Sequence, residues 1–107
     1  MVAVSEADTN LLQDFRFTGV SGMEEFVGQN VVVDVESLFV FLGRLKEIRD
    51  KTLILKSVDV HDLRDSTTTR EAYVREARVH GIQPNRNKVL IRLEQVVSVS
   101  MLDDVIE

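Results

Sequence analysis

From Gln29 onward the apolar residues settle into a period of two, with Val31, Val33 and Val35 on one side of the chain and Val32 and Asp34 on the other. An extended chain points successive side chains to opposite faces, so this alternation predicts a strand. A second apolar run, Leu38 to Leu42, meets Gly43 and continues as Arg44-Leu45-Lys46-Glu47-Ile48. A Gly inside a strand pattern marks a sharp bend or a close backbone approach. Arg49-Asp50-Lys51 is a polar break, after which Thr52-Leu53-Ile54-Leu55 carries on through Val58 and Val60. Three consecutive strands with tight connections form an antiparallel meander. With no Trp and a single Tyr, the core must come mainly from Val, Leu and Ile, which suits strands.

The flanks are less regular. Ser21-Gly22-Met23-Glu24 has the spacing of a capping box, which predicts a short helix to about Val27, with Gly28 as its left-handed terminator. Before it, residues 1–20 are read as an N-terminal arm or extension, in which the weak periodicity of Leu11, Leu12, Phe15 and Phe17 fits a short helix, an arm, or a segment that orders only against a neighbouring subunit. Residues 65–70 have the composition of a loop. Residues 71–80 contain good helix formers, yet Tyr73, Ala77 and Val79 recur at even spacing, and a strand pairing back onto the preceding one is expected. Residues 81–87 are rich in turn formers. Lys88 to Leu93 and Gln95 to Met101 read as two further strands, and 103–107 is a short acidic tail.

At 107 residues the chain has room for one domain and one core, placed at 21–102. The absence of Cys excludes disulfides and thiolate chemistry. The N-terminus lacks a basic, apolar leader, and no apolar run is long enough to cross a membrane, so a cytoplasmic protein with no membrane partner is expected. The net charge of −5 is unevenly spread. Residues 1–37 hold seven acids against one base, whereas residues 38–92 hold twelve bases against seven acids. His61 and His80 lack a metal-type spacing, and no nucleophile elbow, phosphate loop or paired-carboxylate constellation is present. No enzyme activity, cofactor or metal is expected.

Gly28-Gln29-Asn30-Val31-Val32-Val33-Asp34-Val35, then Gly43-Arg44-Leu45 and Leu53-Ile54-Leu55, resembles the first motif of the Sm and Sm-like (LSm) ribonucleoprotein family. Val89-Leu90-Ile91-Arg92 followed by Val96-Val97-Ser98-Val99 is similar to the second. The resemblance covers residues 22–101, with 62–87 as an enlarged variable loop. It implies a mainly β fold: a small, strongly bent, five-stranded SH3-like (Sm-fold) barrel with a short N-terminal helix. It also implies a homo-oligomeric ring, its last two strands pairing onto neighbouring subunits, that binds single-stranded RNA at its inner rim.

Carried over position by position, the family's RNA-binding loop falls on Arg49, Asp50, Lys51 and Thr52, and its second-motif arginine on Arg92. The chain departs from the pattern in three places: the loop is one residue short and has no Asn, Leu93 stands where the family has Gly, and Glu94-Gln95 follows. Arg44, Lys46, Arg49 and Lys51 would form a basic collar if repeated around a ring. A second reading is a structural or protein-interaction ring that has lost the RNA pocket. A third, a monomeric SH3-like barrel that binds peptides, lacks the exposed aromatic groove such domains need.

Overall fold

The structure, a computed structural model, describes residues 22–65 and 67–107. The expectations for residues 1–20 and for a cap at Ser21 lie outside them. Five strands form one antiparallel sheet: β1 Asn30–Val35, β2 Phe39–Arg49, β3 Thr52–Asp62, β4 Arg86–Arg92 and β5 Val96–Met101. Their order is β4-β3-β2-β1-β5, so the meander lies in the middle and the last two strands take the two edges. The mainly β, strongly bent five-stranded architecture expected from the sequence is the one observed.

Gly43 is where β2 bends. The β2–β3 register shifts between Leu42 and Arg44, and on β3 Ser57 takes a left-handed φ of 52°. A Cβ on Gly43 would lie 3.1 Å from Val58 Cγ2 and 3.2 Å from the Lys56 carbonyl oxygen. The bend therefore exists because one residue has no side chain. It folds the sheet around an inner core of Val31, Val33, Leu45, Leu53, Leu55, Val58 and Ile91, closed at one end by Met23 and Phe26.

The expected N-terminal helix is a single 3₁₀ turn, Glu24–Phe26, and its N-cap residue Met23 makes no side-chain bond. Glu24 Oε1 instead accepts from the Gly22 N–H at 2.9 Å. Gly28 has the left-handed backbone expected of it, φ 89°, and its N–H reaches the Leu45 carbonyl at 2.7 Å, which ties the turn to β2.

The strand expected over 71–80 is an α-helix, α1, Arg70–His80. The termini decide the matter. Thr69 accepts a bond from the Ala72 N–H at 3.1 Å. Gly81, at φ 93°, closes the other end with its N–H on the Ala77 carbonyl. Glu71 in the first turn and Arg78 and His80 in the last complement the helix dipole. The even spacing of Tyr73, Ala77 and Val79 is coincidental, because the buried pair is Val74 and Ala77, three apart on one helical face, while Val79 is 53% exposed.

The expected variable loop thus contains a helix, and that helix covers the sheet's second face. Val74 and Ala77 join Val32, Val40, Leu42 and Leu102 in a second cluster. Consequently β1 is buried on both sides, with Val31, Val32 and Val33 at 1% exposure or less. Arg70 clamps the helix to β1, its Nε on Asp34 Oδ1 at 2.7 Å and Nη2 on Oδ2 at 2.5 Å. Ser98 of β5 donates to the same carboxylate at 3.0 Å. Arg78 holds the chain's last residues through the Asp103 carbonyl and the Glu107 carboxylate.

Candidate nucleic-acid interface

The β2–β3 hairpin turns on two residues. Asp50 and Lys51 have φ 52° and 60°, and Arg49 pairs with Thr52 across the ladder. Two consecutive left-handed residues make a turn whose twist matches that of the flanking strands. The Thr52 hydroxyl donates to the Asp50 carbonyl at 3.2 Å. The loop that is one residue short of the family pattern is thus a closed, tight turn with Asp50 and Lys51 exposed at its tip.

Sheet register delivers the fifth candidate residue. Thr52 pairs with Arg92, and the Leu93 N–H donates to the Lys51 carbonyl at 2.9 Å. Residues forty positions apart in sequence are therefore stitched together, and Arg49, Asp50, Lys51, Thr52 and Arg92 share one end of the sheet. The Arg92 side chain is 74% exposed, with Nη2 3.5 Å from Glu94 Oε1. Arg49 Nε lies 3.6 Å from Glu47 Oε2. Both are weak, solvent-screened pairs that leave the guanidinium planes accessible. Leu93 is half-buried and packs on the inner core from the 3₁₀ turn Leu93–Gln95, so its side chain does not occupy the exposed end.

This end offers planar guanidiniums for stacking and bidentate bonding, an ammonium, a hydroxyl and a carboxylate. No group of three or more His, Cys, Asp or Glu suited to a metal occurs among the described residues.

The expected basic collar divides into two groups. Arg49 and Lys51 sit at the turn, Lys46 is exposed on β2 at the register shift between them and Arg44, and Arg44 lies further up β2, paired with Lys56 on β3, which pairs in turn with Lys88 on β4. Sequence reasoning missed this second group because it is assembled from three strands. The pairing register was the signal, and it is not written in local periodicity.

The two histidines serve other ends. His61 stacks on Tyr73 with ring centroids 3.7 Å apart and planes within 9°. The Tyr73 hydroxyl donates to Asp59 Oδ2, and the Asn85 amide donates to Asp59 Oδ1 at 3.2 Å. Asn85 also pairs with both backbone groups of Val60 in the manner of a strand neighbour. Asp59 is 5% exposed. The group joins α1 and the start of β4 to β3. Burial, then the bond to Asp59 and its charge, push the Tyr73 hydroxyl well above its ordinary pKa. Asp62 is held down to about 2 by its side-chain and backbone bonds from Arg64. His80 lies 3.5 Å from Glu76, one helical turn away and exposed.

The sequence matches no protein-family model and no curated protein. Solved structures do match its fold. An Sm protein of Pyrococcus abyssii, in complex with a uridine heptamer, aligns with TM-score 0.52 and 16% identity over 79% of this chain and 99% of its own. An Sm-like protein from Archaeoglobus fulgidus aligns at 0.52 and 12% identity, covering 80% of this chain and 96% of that one. A chain of the NatC complex bound to CoA aligns at 0.51 and 15%, over 81% and 91%. At these identities the likeness is one of fold.

Proposed function

We propose that this chain, whose fold is the Sm-like fold, closes into a homo-oligomeric ring through its two edge strands and binds single-stranded RNA at the end formed by Arg49–Thr52 and Arg92. The observation that carries the reading is the Thr52–Arg92 pairing with its Leu93–Lys51 hydrogen bond. It gathers the candidate residues onto one exposed surface. A uridine heptamer is bound by the Pyrococcus abyssii neighbour, which makes RNA the first ligand to test. The role is binding and not catalysis.

Ring closure is supported by the two edges. β4 and β5 are each paired on one side only, and each carries an exposed aliphatic residue, Leu90 at 59% and Val97 at 65%. Unpaired edges of this kind invite another strand. Beside β5 runs a groove of about 330 Å³ lined by Met23, Phe26, Leu93 and Val96–Val99, suited to apolar side chains from a neighbour's β4. Cyclic repetition of one β4–β5 pairing leaves no edge open.

The second reading, a ring that binds protein only, rests on the departures from the family pattern: the loop without Asn, Leu93, and the acid Glu94 beside Arg92. Titration of the oligomer with fluorescent oligo-U and oligo-A at low and moderate salt separates the two. RNA binding predicts saturable binding with a steep salt dependence, and Arg92→Ala should weaken it by about tenfold, the scale of one lost stacking or bidentate contact. Indifference to both oligonucleotides supports the protein-only ring.

A further inference from the structure

Away from the hairpin turn, three cations stand side by side across β2, β3 and the edge strand β4. Arg44 on β2 pairs with Lys56 on β3, and Lys56 pairs with Lys88 on β4. Asn30 of β1 continues the row beyond Arg44. Directly paired residues project from the same face, at an interstrand spacing of about 4.8 Å. Arg44 and Lys88 are exposed and Lys56 is half-exposed. None of the three side chains has a hydrogen-bond or ion-pair partner among the described residues. Glu47, three residues further along β2, is turned to Arg49.

This arrangement works against the stability of the isolated sheet. Like charges placed directly opposite on neighbouring strands repel, and here the repulsion is repeated across two ladders with no acid interposed. Elsewhere Arg70 has Asp34 and Glu71, Arg64 has Asp62 and Arg78 has Glu107, while Lys46, Lys51, Arg75 and Arg86 have no acid among the described residues; what sets the row apart is that its like charges are paired directly across strands. A local conflict left standing in an otherwise consistent fold marks a surface that meets an external ligand. The ligand must be an anion with several charges in line, because the cations form a row and not a pocket.

We propose that Arg44, Lys56 and Lys88 form a phosphodiester track, a second nucleic-acid contact that grips the backbone of a single strand without reading its bases. Lysines act here as point charges on successive phosphates, and the flat row offers no base-sized recess. The β3–β4 ladder is unbroken from Thr52/Arg92 to Lys56/Lys88. Four residues of strand place the row about 13 Å from the hairpin end on the same face. The Ile54–Leu90 pair lies between them on that face, so a strand held at the hairpin end reaches the row by crossing this apolar pair on the β3 side of the β4 edge. In that continuity the track rests on the proposed RNA reading, but its charge does not depend on the hairpin residues.

The test compares wild type with the triple variant Arg44→Gln/Lys56→Gln/Lys88→Gln and with Arg92→Ala. Each is titrated with a mixed-sequence single-stranded RNA over a range of salt, and with inorganic polyphosphate, which has charge but no bases. The triple variant should bind RNA about tenfold or more weakly for every sequence, with the salt slope reduced by about 2 per protomer, and should lose polyphosphate binding. Arg92→Ala should keep polyphosphate binding. With repulsion removed, the triple variant should also melt a few degrees higher than wild type, which shows that it is folded.

An unchanged salt slope and unchanged polyphosphate binding in the triple variant overturn the track, whatever Arg92→Ala does. Polyphosphate binding that depends on the row, with Arg92→Ala leaving RNA affinity intact, upholds the track and removes the hairpin site. Binding of poly-glutamate as tight as that of RNA at equal ionic strength overturns the nucleic-acid assignment.

Discussion

Tyr73 is the chain's single tyrosine, and with no Trp present its ultraviolet phenolate band is a clean report on one buried contact. Its hydroxyl donates to a carboxylate that is itself buried, so ionisation would place two negative charges against each other. The sign of the linkage follows. A folded-state pKa raised above the ordinary value of 10.0 gives a stabilising contribution that is complete below pH 10 and disappears as the pH climbs toward the folded value. The phenolate band should therefore appear only well above pH 10, together with loss of helical circular dichroism. A phenol titrating near 10 with the helix intact would show that the Tyr73–Asp59 bond is not made. Gly43 acts through an atom it lacks. Gly43→Ala pushes a Cβ against Val58 and the Lys56 backbone, and should destabilise by about 1–3 kcal/mol in denaturant unfolding, the scale of overpacking where backbone must move.

Among the elements, α1 decides how the second face of the sheet is buried. Its attachment rests on the Val74 and Ala77 contacts and on the Arg70–Asp34 clamp, whose two side chains are 29% and 24% exposed. Arg70→Met keeps the aliphatic stem but leaves Asp34 with Ser98 and no guanidinium. A loss of about 1–3 kcal/mol is expected, with amide exchange in α1 rising more than in β2 and β3. Uniform acceleration across the sheet would mean that helix and sheet open together.

The strands were legible as short runs rich in Val, Leu and Ile bounded by polar or turn-forming residues, continuous where both faces are buried as at Val31–Val33 and Leu53–Leu55, and Gly28 and Gly43 were legible because each position needs what only glycine gives. The helix was not, because Tyr73, Ala77 and Val79 happen to recur at even spacing although the buried face is Val74 and Ala77, and the deciding signals lay at the termini: Thr69 three residues before the Ala72 N–H it accepts from, and Gly81 just past the last turn. The residues of the candidate site were nameable through the family resemblance. Their convergence was not, since it depends on which residue of β3 faces Arg92. Leu93, a departure from the family pattern, finds its physical reason only in the structure, where it packs inward.

At the scale of the whole molecule, the sheet is incomplete by itself: five strands in a row leave β4 and β5 each with one free side. Val97 lies at that margin beside an apolar groove. Val97→Lys places a charge where a neighbour's strand would dock, the device by which edge strands are kept from pairing. It should convert the proposed ring to monomers with the melting of the inner core little changed. A ring unaffected by this change would have to close through another surface.

Native mass of the full chain, measured with and without a short uridine oligonucleotide, reads the proposed ring and its RNA in one experiment. A single closed oligomer whose mass rises by that of a bound oligonucleotide is the predicted result. A monomer, or a ring whose mass does not change, would contradict the proposal.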